Sequence, residues 1–134
     1  MPGEYRLTGL AVPDSLHRLH RLVDQVRAEH LEVDASELML FETAIVEIHG
    51  NVVRHGRPAG QVVYTFDLEV LPDRLVGRLA DDGEAIEDLS DEDGLVAKDA
   101  EGGRGVALAR AALDELDFAR QGDRNTWRLV KLLT

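Results

Sequence analysis

Apolar side chains recur along the chain in two rhythms, and the switches between them divide it into elements. Over residues 5–12 polar and apolar positions alternate loosely and stop at Pro13, the pattern of an edge strand and then a break. Asp14 or Ser15 can cap a first helix, because Leu16, Leu19, Leu22, Val23 and Val26 then return at three-and-four spacing through about residue 29. A second stripe, Leu38, Phe41, Ile45, Ile48 and Val52, begins after a cap in the Asp34 and Ser36 region and ends near Gly56. Residues 61–71 and 74–80 are rich in branched and aromatic side chains, and Pro72-Asp73 between them predicts an antiparallel hairpin. Its second strand runs into Asp81-Asp82-Gly83.

Gly102, Gly103 and Gly105 precede a third helical repeat of Val106, Leu108, Ala109, Ala112, Leu113 and Leu116. Residues 117–121 and 125–133 close the chain as a hairpin turned at Gly122-Asp123. Residues 84–101 carry many acids and few apolar groups, so they are expected to form a partly mobile loop with at most a short helix, placed where a lid would sit. There is no internal repeat and no low-complexity segment.

Composition narrows the function classes. At 134 residues the chain is expected to be one domain, 1–134, able to bury a core but too short to add a sensor or dimerisation module. Its net charge of -11, from 26 acidic and 15 basic residues, argues against a surface that holds nucleic acid or anionic lipid nonspecifically. Without cysteine, a disulfide framework and a thiolate metal site are both excluded, and a metal must rely on oxygen or imidazole ligands, which suits Mg²⁺. The N-terminus lacks the basic start and apolar run of a secretory signal, and no stretch approaches membrane-spanning length, so a cytoplasmic protein is expected.

Three short constellations could carry chemistry. Glu47 and Asn51 are four apart on the second helix and project from one face, continued by Leu40 and Ala44. A carboxylate beside an amide oxygen can orient a nucleophile and hold Mg²⁺; the same spacing also describes a solvated polar patch. Asp81-Asp82-Gly83 follows an apolar strand, so one aspartate can be delivered to a pocket at the strand end, where Gly83 permits close approach of a ligand. That aspartate could accept from an adenine amino group, or belong to an ordinary Asp-Gly turn. Gly102-Gly103-Arg104-Gly105 lies where backbone amides at a helix start can bind phosphate and Arg104 can add charge; a flexible cap has the same composition. His17, His20 and His30 fall on a surface helix, and His49 and His55 are too poorly accompanied for a zinc centre. Trp127 in the last strand reads as core or interface.

Taken in order, Glu47-x-x-x-Asn51, Asp81-x-Gly83 and Gly103-x-Gly105, with Thr126 in a later strand, resemble the N, G1 and G2 boxes and final threonine of the histidine-kinase-like (GHKL) ATPases. The resemblance spans residues 37–133. It implies an α/β fold, more fully an α+β two-layer sandwich: a mixed, mainly antiparallel sheet with three helices on one face, the Bergerat ATP-binding fold. The short chain, the N-terminal strand and helix, and the Glu-x-x-x-Asn-x-x-x-His-Gly form are most similar to bacterial anti-sigma-factor serine/threonine kinases. On that resemblance Asn51 would ligate Mg²⁺, Glu47 would be the catalytic base, Asp81 would accept from adenine, Gly83 would admit the ligand, Gly103, Arg104 and Gly105 would receive the phosphates, and Thr126 would support Asp81. Ala85 stands where the fuller Asp-x-Gly-x-Gly pattern ends in glycine, and Glu101 stands before the G2 glycines with Arg104 inside the box.

The function implied is ATP-dependent phosphorylation of an anti-anti-sigma (STAS-type) protein, together with sequestration of a sigma factor from polymerase and so regulation of transcription, usually by a homodimer. A nucleotide-gated protein-interaction module with little or no kinase activity is the alternative. The first strand could pair across a dimer or end the monomer's own sheet.

Overall fold

The computed structural model describes residues 3–85 and 100–133. Along the chain run β1 (Glu4–Leu10), α1 (Pro13–Glu29), α2 (Ala35–His55), β2 (Val63–Val70), β3 (Arg74–Asp81), α3 (Ala100–Ala112), β4 (Glu115–Gln121) and β5 (Arg124–Leu132). The strands form one sheet in the order β1-β2-β3-β5-β4, and each pairing described is antiparallel. The expected α+β layering is present, and β1 ends the sheet against β2.

Local chemistry explains most of the boundaries. Pro13 opens α1 because its fixed φ suits the first helical position and its missing N–H would have had no partner there. Val12 is therefore the N-cap and contributes no side-chain bond; neither Asp14 nor Ser15 caps the helix as expected. At α2 the Asp34 carboxylate accepts from the backbone N–H groups of Ser36 at 2.9 Å and Glu37 at 3.1 Å, a side-chain cap worth about 1 kcal/mol. Pro72 and Asp73 turn β2 into β3, with Leu71 N–H bonded to Arg74 O at 2.9 Å. Gly122, at φ 61°, supplies the left-handed residue that the tight β4–β5 turn needs.

The core lies between the helices and one face of the sheet. Phe41, Ile45, Ile48 and Val52 of α2 are buried against Tyr64, Phe66 and Leu68 of β2, Leu75 and Leu79 of β3, and Trp127 and Leu129 of β5. Leu19, Val23 and Val26 bring in α1, and Val106 and Ala109 bring in α3. At Gly77 a Cβ would lie 3.2 Å from ring atoms of both Phe41 and Phe66, so a bare backbone is what lets α2 settle on the sheet centre. Two expectations for the third helix are revised. Its glycines fall inside the helix, which already begins at Ala100, because glycine can adopt helical dihedrals, at some cost relative to alanine, and marks no start by itself. Leu116 belongs to β4, and Leu108 is 54% exposed. The lid expected within residues 84–101 falls largely on 86–99, outside the described residues.

Candidate functional site

The polar side of α2 meets α3 at the first constellation. Glu47 is half-buried and Asn51 is buried one turn further on. Gly105 of α3 faces both: a Cβ there would stand 2.9 Å from Glu47 Oε1 and 3.8 Å from Asn51 Oδ1. Asn51 Oδ1 accepts from Arg54 Nη2 at 2.8 Å, three residues along the same helix. A recess of about 300 Å³, lined by His20, Glu42, Thr43, Val46 and Glu47, opens beside the Glu47 carboxylate. Gly103 and Arg104 lie early in α3, and their surroundings fall outside the described residues.

The second constellation is at the end of β3. Two-residue alternation from Leu75 through Leu79 turns Asp81 to the helix-covered face, where it is 1% exposed. Its Oδ1 accepts from Gly83 N at 2.9 Å and from Asn125 Nδ2 at 3.0 Å. Its Oδ2 is buried and has no hydrogen-bond partner among the described residues. A Cβ on Gly83 would meet Asp81 Oδ1 at 3.0 Å, Val62 Cγ2 at 3.2 Å and Arg57 O at 3.3 Å, so a side chain here would crowd the turn. Val62 Cγ2 also lies 3.2 Å from a Cβ position on Gly56, which joins the C-terminal end of α2 to the end of β3. The end of β3 thus lies against the C-terminal end of α2.

Thr126 is not the residue that supports Asp81. It pairs with Ala80, and the pleat sends both to the sheet face away from the helices; the register instead sets Asn125 opposite Asp81. Asn125, 1% exposed, also donates through Nδ2 to Gly83 O at 3.2 Å and Glu84 O at 3.1 Å. Arg120 Nη1 donates to Asn125 Oδ1 at 3.0 Å and to Gly83 O at 2.7 Å. Neither Asn125 nor Arg120 stands out in the sequence, although one signal is present: counting back by two from buried Trp127 puts a polar side chain on the inward face.

Of the three histidines expected on a surface helix, two are there and one is not. His17 and His20 are exposed on α1, and His20 Nδ1 lies 2.7 Å from Glu42 Oε2. His30 is buried at the end of α1 rather than on its solvent face, 3.0 Å from Glu32 Oε2. His49 is fully buried and lies against Tyr64, with ring centroids 4.5 Å apart. Ser15 Oγ donates to Val12 O at 2.6 Å, so the 2.7 Å contact with His49 Nε2 is donated by the ring. Burial without a charged partner pushes the imidazole pKa down to about 4.

Among the described residues, a five-stranded antiparallel sheet under three helices, with a carboxylate and an asparagine on the central helix and a buried aspartate at a strand end, defines the α+β ATPase-domain class. The chain belongs to the histidine kinase-like ATPase domain family, whose model matches residues 10–131. Among solved structures, the RsbU and RsbW domains of a Mycobacterium tuberculosis protein share the fold with a TM-score of 0.67 at 18% identity, over 98% of this chain and 33% of that one. The histidine kinase domain of a blue-light-activated histidine kinase from Erythrobacter litoralis aligns at 0.55 and 21% identity, over 72% of this chain and 45% of that one. This chain therefore spans a third to under half of those structures. No curated protein matches the sequence. No helix among the described residues is long and apolar enough to cross a membrane.

Proposed function

We propose that the chain, as a single domain over residues 1–134, is a cytoplasmic ATP-dependent serine protein kinase and anti-sigma regulator. It phosphorylates an anti-anti-sigma (STAS-type) protein and sequesters a sigma factor, as a homodimer. The observation that carries the reading is the convergence of Glu47 and Asn51 of α2 with Gly105 of α3, together with a buried aspartate at the end of β3 that has one oxygen without a partner among the described residues. The residues fit a nucleotide on their own chemistry. Asp81 Oδ2 is a buried acceptor lacking a donor among the described residues, which an adenine amino group would supply. At Gly105 the missing side chain leaves room in front of Glu47 and Asn51, and Gly103 and Arg104 precede it in the same helix.

When bound, ATP supplies the phosphoryl group and Mg²⁺ offsets the charge on its oxygens. Asn51 would hold the ion through its amide oxygen, exchanging its bond from Arg54. Glu47, which also lines the recess, would take the proton from a serine hydroxyl of the substrate protein as that oxygen attacks. The new bond is serine oxygen to phosphorus, the bond broken joins phosphorus to the bridging oxygen, and ADP leaves. Gly103, Arg104 and Gly105 would receive the phosphates, and Gly83 would let the base approach Asp81.

The Arg54 bond to Asn51 Oδ1 favours a second reading, a nucleotide-gated interaction module in which the metal ligand is already engaged and transfer is inefficient. Calorimetry of ATP with and without Mg²⁺, on the wild type and Asn51→Ala, tests the pocket. Magnesium-dependent binding that disappears in the variant supports it, and no binding by the wild type sinks it. Glu47→Ala then separates the two readings. Loss of phosphate transfer to a STAS-type substrate with retained ATP binding supports the kinase, whereas an unchanged regulatory output supports the module.

A further inference from the structure

Arg120 and Asn125 are joined in a chain of hydrogen bonds that ends at the buried carboxylate of Asp81. We infer that they form a positioning pair that makes Asp81 a one-sided acceptor and so sets base selectivity. A purine with an exocyclic amino donor facing Asp81 is accepted, and one with a carbonyl oxygen there is refused. The inference rests on the reading of Asp81 as the base-binding group.

The directionality starts at Arg120. A guanidinium has donors and no acceptor, so the amide atom of Asn125 that faces Arg120 Nη1 at 3.0 Å must be its oxygen. That orientation forces Asn125 Nδ2 toward Asp81 Oδ1, Gly83 O and Glu84 O, at 3.0–3.2 Å. Oδ1 then receives two donors, Asn125 Nδ2 and Gly83 N, while Oδ2 receives none from the described residues and is buried. Arg120 also holds Gly83 O at 2.7 Å, and Glu84 N–H bonds Arg57 O at 2.9 Å, so the turn that presents Asp81 is pinned from β4, β5 and the residues after α2. Were the amide to turn over, its oxygen would face the carboxylate, and the aspartate would be free to rotate and share its two oxygens.

A fixed, unshared acceptor discriminates strongly, because a ligand carbonyl placed against Oδ2 leaves both oxygens without a donor in a buried site. The test measures ATP and GTP affinities of the full chain by calorimetry, for the wild type, Arg120→Met, Arg120→Lys and Asn125→Leu. The wild type is expected to prefer ATP by roughly 100-fold or more, as sites built around such a bond do. Arg120→Met and Asn125→Leu should each lower the ATP/GTP ratio by about 10-fold or more, the equivalent of one misdirected hydrogen bond, and Arg120→Lys should restore most of it. Arg120 is exposed, so its variants remain informative should Asn125→Leu fail to fold. A purely structural role would weaken both nucleotides together and leave the ratio unchanged. An ATP-selective wild type whose ratio survives in Arg120→Met overturns the inference. A wild type that binds neither nucleotide overturns the base-binding reading itself, and the inference with it.

Discussion

His49 shows how much one buried polar side chain can matter without touching the reaction. It ties α2 to the entry of α1 through Ser15, and its Nδ1 is buried with no partner among the described residues. With a folded pKa of about 4 and an unfolded one near 6.5, the ring stays neutral in the folded chain while the unfolded chain takes up a proton. The unfolded state then binds more protons between these values, so stability falls as pH drops through the window and is complete above it. The loss should approach about 1.4 kcal/mol per pH unit well below pH 6.5. Urea unfolding at pH 7, 6 and 5 should show a steeper decline for the wild type than for His49→Gln, whose amide can still reach Ser15; parallel declines would refute the assignment. At this scale the sequence is partly legible. Asp81 can be found because apolar alternation leads to it, and Glu47 and Asn51 because helical spacing aligns them. Asn125 and His49 cannot, because a polar residue on an inward face acquires meaning only from a partner far along the chain.

Between elements, the decisive contact is α3 against α2 at Gly105. A helix-interior glycine costs about 1 kcal/mol relative to alanine, so its retention here is offset by something other than helix stability. The atom an alanine methyl would strike, at 2.9 Å, is the end of the flexible Glu47 side chain, whereas Asn51 Oδ1 at 3.8 Å is at ordinary contact distance. Gly105→Ala should therefore keep or slightly raise the melting temperature, displace the Glu47 carboxylate, and weaken Mg²⁺-dependent ATP binding because the methyl group takes up room proposed for the phosphates. Phosphoryl transfer should fall by roughly 10²-fold, the lower range for loss of a positioned general base. Equal activity in variant and wild type would show that Glu47 does not act from the position seen. Helix existence is readable from the apolar stripes, and the Asp34 cap from its place before the second stripe. The start of α3 is not, because a glycine-rich segment carries no preference that separates a phosphate loop from a first helical turn.

For the molecule as a whole, both hairpins are legible because each is closed by a short turn. The insertion of β5 between β3 and β4 is not, because register between strands some fifty residues apart is set by what the inward side chains pack against and bond. That register has a thermodynamic consequence. The candidate site draws Glu47 and Asn51 from α2, Asp81 from β3, Gly105 from α3 and Asn125 from β5, so it exists only when the sheet and helices are assembled. A nucleotide that bridges them binds the folded chain and not the unfolded one, adding RT ln(1 + [L]/Kd), or about 2.7 kcal/mol at a hundred times Kd. For a domain of this size that corresponds to a rise in melting temperature of roughly 10 °C. Thermal melts should show this rise with ATP and Mg²⁺ together, with MgCl₂ alone as the control because divalent ions also screen a chain of net charge -11. Asn51→Ala should lose most of the rise and Asp81→Asn a comparable part, although the two side chains lie on different elements. A shift produced equally by MgCl₂ alone would assign the effect to charge screening and remove the support for a nucleotide clamped across the fold.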